Sequence, residues 1–190
     1  MYVEIETKLK VESLDEIEAR LHSLGAEFVE QQHQIDRQFD DRRRTMATTD
    51  QCLRLRIQTV KDATKFIITY KGPKEKSDIK SRQEIEVVVD DAAAAEKILS
   101  VLGYEPALIV EKTRRLWKLD GCEVALDRLD MLGDFIEIEG PDSQLIAAVK
   151  SRLGLSHLPH ISKSYAGMIS GLRDRTEPTM SGQDNCNTDT

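Results

Sequence analysis

Apolar and polar residues alternate with period two through the first eleven positions. The pattern predicts a strand over 2–11, with Val3, Ile5, Leu9 and Val11 on one face and Glu4, Glu6 and Lys8 on the other. Leu14, Ile17, Leu21 and Leu24 follow at helical spacing behind Ser13-Leu14-Asp15-Glu16, which has the form of a capping box, and Gly25 marks the stop. Residues 26–41 read as extended, anchored by Phe28, Ile35 and Phe39, and 42–51 as a polar loop. Strands are predicted over 52–60, 64–72 and 81–89, with an exposed loop from Gly72 to Asp78 before the last. Asp90-Asp91 opens a second helix carrying Ile98, Leu99 and Leu102 and ending at Gly103. Strands over 107–118, 122–130 and 134–140 turn at Gly121 and Gly133. Pro141-Asp142-Ser143 begins a third helix running through Leu153 to a stop at Gly154, and a fourth, short helix spans 162–171.

This order predicts an α+β fold dominated by antiparallel sheet, with a loose likeness between the two halves. Residues 1–172 form the folded domain; 173–190 have little to bury and read as a disordered tail. The helices need an apolar sheet face, which Val3, Ile5, Leu53, Leu55, Ile57, Ile85, Val87, Ile136 and Ile138 supply. The opposite face is crowded with Lys, Arg, Asp and Glu. An open antiparallel sheet shows such a face to water, but ordinary wet faces mix in more Ser, Thr and Gln. Closure into a barrel with a charged interior accounts for the density of both signs and removes the sheet edges.

The inward set comprises eight cations (Lys8, Arg54, Arg56, Lys71, Arg82, Lys112, Arg114, Lys163) and seven acids (Glu4, Glu6, Glu84, Glu86, Asp127, Glu137, Glu139). Such a set is either a self-neutralising network of ion pairs or a ligand site, because buried charge is costly unless paired or ligated. Carboxylate oxygens suit hard ions such as Mg²⁺ or Mn²⁺, and Arg forks and Lys ammoniums suit phosphates. A triphosphate with divalent metal fits both halves of the set.

Composition narrows the alternatives. The chain has 190 residues, 39% apolar and 32% charged, with a net charge of −7 and a pI of about 5.2. These values suit one globular domain and argue against a general nucleic-acid binder. No apolar run approaches the roughly 20 residues a membrane helix needs. No signal-peptide pattern opens the chain, and Cys52, Cys122 and Cys186 form no CxxC pair, so a reducing cytoplasm is expected. A homodimer is compatible with these features. His157 and His160 lack the partners of a zinc set, Arg42-Arg43-Arg44 reads as a solvated loop, and Trp117 as packed beneath a helix. There is no Walker motif or GxGxxG, so phosphate recognition falls to side chains.

The ordered motifs Glu4-x-Glu6-x-Lys8, Arg54-x-Arg56, Thr69-Tyr70-Lys71-Gly72-Pro73, Arg82-x-Glu84-x-Glu86, Lys112-x-Arg114, Asp127, Leu132-Gly133-x-Phe135-x-Glu137-x-Glu139 and Lys163-Ser164-Tyr165 resemble the CYTH superfamily, the triphosphate tunnel metalloenzymes. The resemblance covers roughly residues 2–171 and is nearest to the branch of class IV adenylyl cyclases and thiamine triphosphatases. It implies an eight-stranded antiparallel closed β-barrel, a tunnel with helices packed outside. It implies Mg²⁺ or Mn²⁺ held by Glu4, Glu6, Glu137 and Glu139, with phosphates cradled by Lys8, Arg54, Arg56, Lys71, Arg82, Lys112 and Arg114 and closed over by Lys163. Glu84 and Glu86 would hold a second metal or orient the cations. Asp127, with Lys112 and Arg114, would stand at the reacting phosphate as base, metal ligand or Arg partner. The implied activity is metal-dependent conversion of ATP to cyclic AMP and pyrophosphate; the alternatives are hydrolysis of inorganic or thiamine triphosphate, and a non-catalytic polyphosphate-binding module. The expected partner is therefore a nucleoside, organic or inorganic triphosphate.

Overall fold

Alternation and capping translate directly into backbone. The structure, a computed structural model, describes the backbone of residues 2–73 and 80–176 and the side chains of 5–73 and 82–173. Strand β1 (Tyr2–Lys10) leads into helix α1 (Leu14–Ser23), where Ser13 caps by accepting the Glu16 N–H at 3.4 Å. Gly25 stops α1 at φ 74°, a conformation that costs a residue without Cβ little. Then come β2 (Glu27–Asp40), α2 (Thr45–Thr48), β3 (Cys52–Val60), β4 (Ala63–Lys71) and β5 (Lys80–Val89). Helix α3 (Ala92–Val101) is capped by Asp91, whose carboxylate accepts two backbone N–H groups. Strands β6 (Glu105–Leu119), β7 (Cys122–Leu129) and β8 (Gly133–Glu139) precede α4 (Ser143–Arg152), capped by Asp142, and α5 (Tyr165–Thr176).

All eight strands pair antiparallel in the order β1-β5-β4-β3-β2-β6-β7-β8. The sheet curls until β1 hydrogen-bonds both β5 and β8. The long β2 and β6 pair from Glu27↔Lys118 to Asp40↔Glu105 and form its spine. On the outside, Leu14, Ile17 and Leu21 of α1 and Ile146 and Val149 of α4 bury against Leu9, Trp117, Val124, Leu126, Ile136 and Ile138. Trp117 is covered as expected, edge-on to His22 and Phe28. Ala95 and Leu99 of α3 bury against Phe39 and Leu55. Tyr165 and Ile169 of α5 pack on Leu108, Val110, Leu129 and Phe135.

Three expectations change. The loop over 42–51 contains one helical turn, α2, because the Asp40 carboxylate accepts the N–H groups of Met46 and Ala47. Helix α5 continues to Thr176, so the first residues assigned to the tail are helical; 177–190 lie outside the described residues, as do 74–78 of the predicted loop from Gly72 to Asp78. Ile85 and Val87, counted among positions that helices cover, are 54% and 53% exposed. Helices α1 and α4 take one side of the sheet and α3 another; α3 reaches Val89 of β5 but leaves Ile85 and Val87 bare.

The uneven cover sets a stability contrast. Leu21→Ala empties a fully buried site between α1 and the sheet and is expected to lower unfolding stability by about 3 kcal/mol. Val87→Thr is expected to change it by less than about 0.5 kcal/mol. Urea unfolding followed by circular dichroism measures both; equal losses would mean that the cover is misassigned.

Candidate functional site

Two acids buried on the inner face organise most of the basic side chains. Pairing of β6 with β7 sets Arg114 opposite Asp127, and Lys112 is two residues away on the same face. Asp127 is 0% exposed. Its carboxylate accepts a fork from Arg114 Nε (2.7 Å) and Nη2 (2.6 Å), Lys112 Nζ at 3.1 Å and the Tyr165 hydroxyl at 2.9 Å. Burial would raise its pKa, but the charges of Arg114 and Lys112 outweigh that and hold it below the usual carboxylate range. The same acid, with Glu137, contributes to raising the Tyr165 hydroxyl well above its ordinary value, after the larger effect of burial. Lys112 moves the other way: burial, then the adjacent Arg114 charge, push it down to about 8.

A second centre lies across the sheet. Pairing of β2 with β3 sets Asp36 opposite Arg56, whose Nε and Nη2 reach its carboxylate at 2.6 and 2.8 Å. Arg54 Nη1 lies at 3.5 Å from Asp36, and its Nη2 donates to Thr69 (2.9 Å) and Glu86 (3.3 Å). Burial opposes ionisation of Asp36, yet the Arg54 charge and the Arg56 fork hold its pKa well below normal. Lys71 pairs with Glu84 at 2.9 Å.

Between these centres is a cavity of about 760 Å³. Lys8, Arg54, Arg56, Lys71, Arg82, Lys112 and Arg114 line it, joined by Lys163 from the segment before α5. Lys8 Nζ is 3.1 Å from Glu137 and 4.0 Å from the centre of the Tyr165 ring, a cation–π contact. Arg114 also bonds Glu137. Apolar contacts of Tyr165 and Ile169 with Leu108 and Val110, which continue the Lys112–Arg114 face of β6, bring α5 over one end of the cavity.

One step along the strands from Lys8 and Glu137, the register sets Glu6 beside Glu139 and Glu139 beside Glu123. All three line the cavity. Adjacent carboxylates are suitable oxygen donors for Mg²⁺ or Mn²⁺. Among the described residues no three acids, His or Cys converge into a ready cage. That still fits a Mg²⁺-type ion, which commonly takes one or two carboxylates and completes its shell with water and substrate phosphate.

The structure therefore brings together all seven strand cations and places Glu6, Glu137 and Glu139 beside them. Glu4 pairs in register with Arg82, though its side chain lies outside the described residues. Glu84 and Glu86 face Lys71 and Arg54 as ion-pair partners. Asp127 has four donors on its two oxygens, the arrangement of an Arg and Lys partner. Sequence reasoning missed Asp36, Glu123 and the parts played by Thr69 and Tyr165. The signal for Asp36 was present: Gln32, Gln34, Asp36 and Gln38 repeat at period two within an otherwise ambiguous stretch.

Comparison with known proteins identifies the family and the fold. The chain is 32% identical over 137 residues to the Methanocaldococcus jannaschii protein named "Putative adenylate cyclase MJ0240", covering 72% of this chain and 76% of that one. It is 28% identical over 172 residues to "Adenylate cyclase CyaB" of Aeromonas hydrophila, covering 85% and 86%. The solved structure of the PH1819 protein of Pyrococcus horikoshii is similar, with a TM-score of 0.79, 28% identity and coverage of 90% of this chain and 99% of that one. The CYTH domain pattern matches residues 3–165, so the chain belongs to the CYTH domain family.

Proposed function

We propose that the curled sheet is a closed, charged tunnel in which a divalent-metal-dependent enzyme converts ATP to cyclic AMP and pyrophosphate. The observation that carries the triphosphate part is the inward set of seven strand cations, four of them held by the buried Asp36 and Asp127. Paired Asp36 and Asp127 hold the Arg forks in place before ligand arrives, which reduces the ordering cost of binding. The cyclase part rests on the names of the two relatives. No helix of the described residues is long and apolar enough to cross a membrane, and the proposed setting is the cytoplasm.

In this reading Lys8, Arg54, Arg56, Lys71 and Arg82 grip the phosphate chain, and Lys163 closes on it from the α5 side. Bound Mg²⁺ or Mn²⁺, held by Glu4, Glu6, Glu137 and Glu139, would neutralise charge on the phosphate oxygens. The ribose 3′-OH attacks the α-phosphorus in line and gives up its proton to solvent, while the bond from that phosphorus to the bridging oxygen breaks and pyrophosphate leaves. Lys112 and Arg114 stabilise the charge that builds up, because Asp127 fixes them in a site where charge–dipole interactions are strong. Asp127 serves there as a positioning group. Glu84 and Glu86 orient Lys71 and Arg54.

Product analysis tests the chemistry. Incubation with Mg²⁺ or Mn²⁺ and, separately, ATP, thiamine triphosphate or tripolyphosphate is expected to yield cyclic AMP plus pyrophosphate from ATP. Orthophosphate release without a cyclic product would replace the cyclase with a triphosphatase; binding without turnover would leave a polyphosphate-binding module. Glu137→Gln is expected to cut turnover roughly 100-fold or more, with Tm within about 4 °C of wild type. Near-normal rates in that variant would overturn the metal assignment.

Lys112 supplies a pH signature. A bound polyanion favours the ammonium form and so raises a pKa that stands near 8 in the free protein. Binding of tripolyphosphate at pH 8 is therefore expected to take up roughly half a proton more in wild type than in Lys112→Arg, a comparison in which the ligand's own titration cancels. Calorimetry in buffers of different ionisation enthalpy measures the uptake. Equal uptake in wild type and Lys112→Arg would contradict the reading.

A further inference from the structure

The pairing of β1 changes character along its length. Tyr2 to Glu6 pair with β5, while the pairing with β8 continues from Glu6 to Lys10. Among the described residues, β5 does not reach Lys8, and the segment between α4 and α5 takes its place. The Ile161 N–H donates to the Lys8 carbonyl at 2.8 Å. The Lys8 N–H donates to His160 Nδ1 at 3.4 Å, and Thr7 Oγ1 lies 3.1 Å from the same nitrogen. Further on, Lys163 offers its carbonyl to Lys8 Nζ at 3.4 Å, and Tyr165 places its ring beneath that ammonium. One short segment thus meets Lys8 at its N–H, its carbonyl and its side chain.

His160 is the unusual element here. Where a neighbouring strand would offer a carbonyl oxygen, this segment offers a ring nitrogen. An N–H that donates to Nδ1 requires a lone pair there, so the ring proton belongs on Nε2 and the Thr7 hydroxyl also donates. The imidazole lies behind the strand, on the Thr7 side, while Lys8 points into the cavity. His160 is not among the side chains that line the cavity.

We infer that His160 is a positioning residue: its Nδ1 acts as a surrogate strand acceptor that fixes Lys8 and ties it to the segment carrying Lys163 and Tyr165. Through this hook the closing segment and the first phosphate-binding lysine move as one unit. The tripolyphosphate consequence rests on the proposed function; the hook itself does not.

The test compares three substitutions in the full chain. Asn places an acceptor oxygen on the same atom, Cγ, that carries Nδ1 in histidine. Gln moves that oxygen one bond outward, and Leu keeps bulk without an acceptor. Hydrogen exchange at the Lys8 amide, read by NMR, is expected to be faster in His160→Leu and His160→Gln and near wild type in His160→Asn. Tripolyphosphate affinity should fall roughly 3- to 10-fold in the first two and recover in Asn, the size expected from one lost hydrogen bond. Unchanged Lys8 exchange in the Leu variant, or an Asn variant as fast as Leu, overturns the inference. Exchange is read without ligand, so a failure of the triphosphate reading, seen as wild-type protein that does not bind tripolyphosphate, is distinguished from a failure of the hook.

Discussion

A carboxylate sealed from water and shared by Lys112, Arg114 and Tyr165 is the constraint on which the rest of this architecture depends. Asp127 could not be buried as an anion without those donors, and it is the acid that Lys112 and Arg114 share. Asp36 does the same for Arg54 and Arg56 on the far side. Removing either acid would leave cations unpaired in a poorly solvated space, which typically costs more than the pair itself contributes. The interior therefore holds as two clusters, each with two cations gathered on one buried acid and fixed N–H donors presented to a common cavity.

The elements outside the sheet make this possible. Apolar packing of α1 and α4 against β1, β7 and β8 holds the strands that carry Lys8, Asp127 and Glu137 in register. A slip of one residue would turn every charge outward. Helix α5 has a double role, since its apolar contacts cover one end of the cavity and its first residue donates to Asp127. Closure of the site and electrostatics within it are thereby linked through a single side chain.

Much of this was legible in the sequence because strands of period two announce their faces. Glu6 and Lys8, Arg54 and Arg56, Lys112 and Arg114, and Glu137 and Glu139 each stand two apart, and each pair shares the inner face. Asp36 escaped notice because glutamines and a histidine blur the alternation of β2, and its meaning depends on register with β3, a non-local property. The helical turn α2 depends on Asp40 accepting backbone N–H groups from residues six and seven further on, which no local propensity encodes. Ile85 and Val87 look like core on any hydropathy scale; only the placement of the helices leaves them in water. Tyr165 was visible as part of a motif, but its bond to Asp127 spans 38 positions of chain.

The central claim is that the inward cations form one site matched to a chain of phosphates. A calorimetric ladder of orthophosphate, pyrophosphate and tripolyphosphate, at one ionic strength and without metal, tests it most directly. Each added phosphate should engage further charge-assisted hydrogen bonds, so tripolyphosphate should bind roughly 100-fold or more tighter than orthophosphate. Equal affinity across the ladder would contradict the account, because it would mean that the cations serve only to neutralise the inward acids.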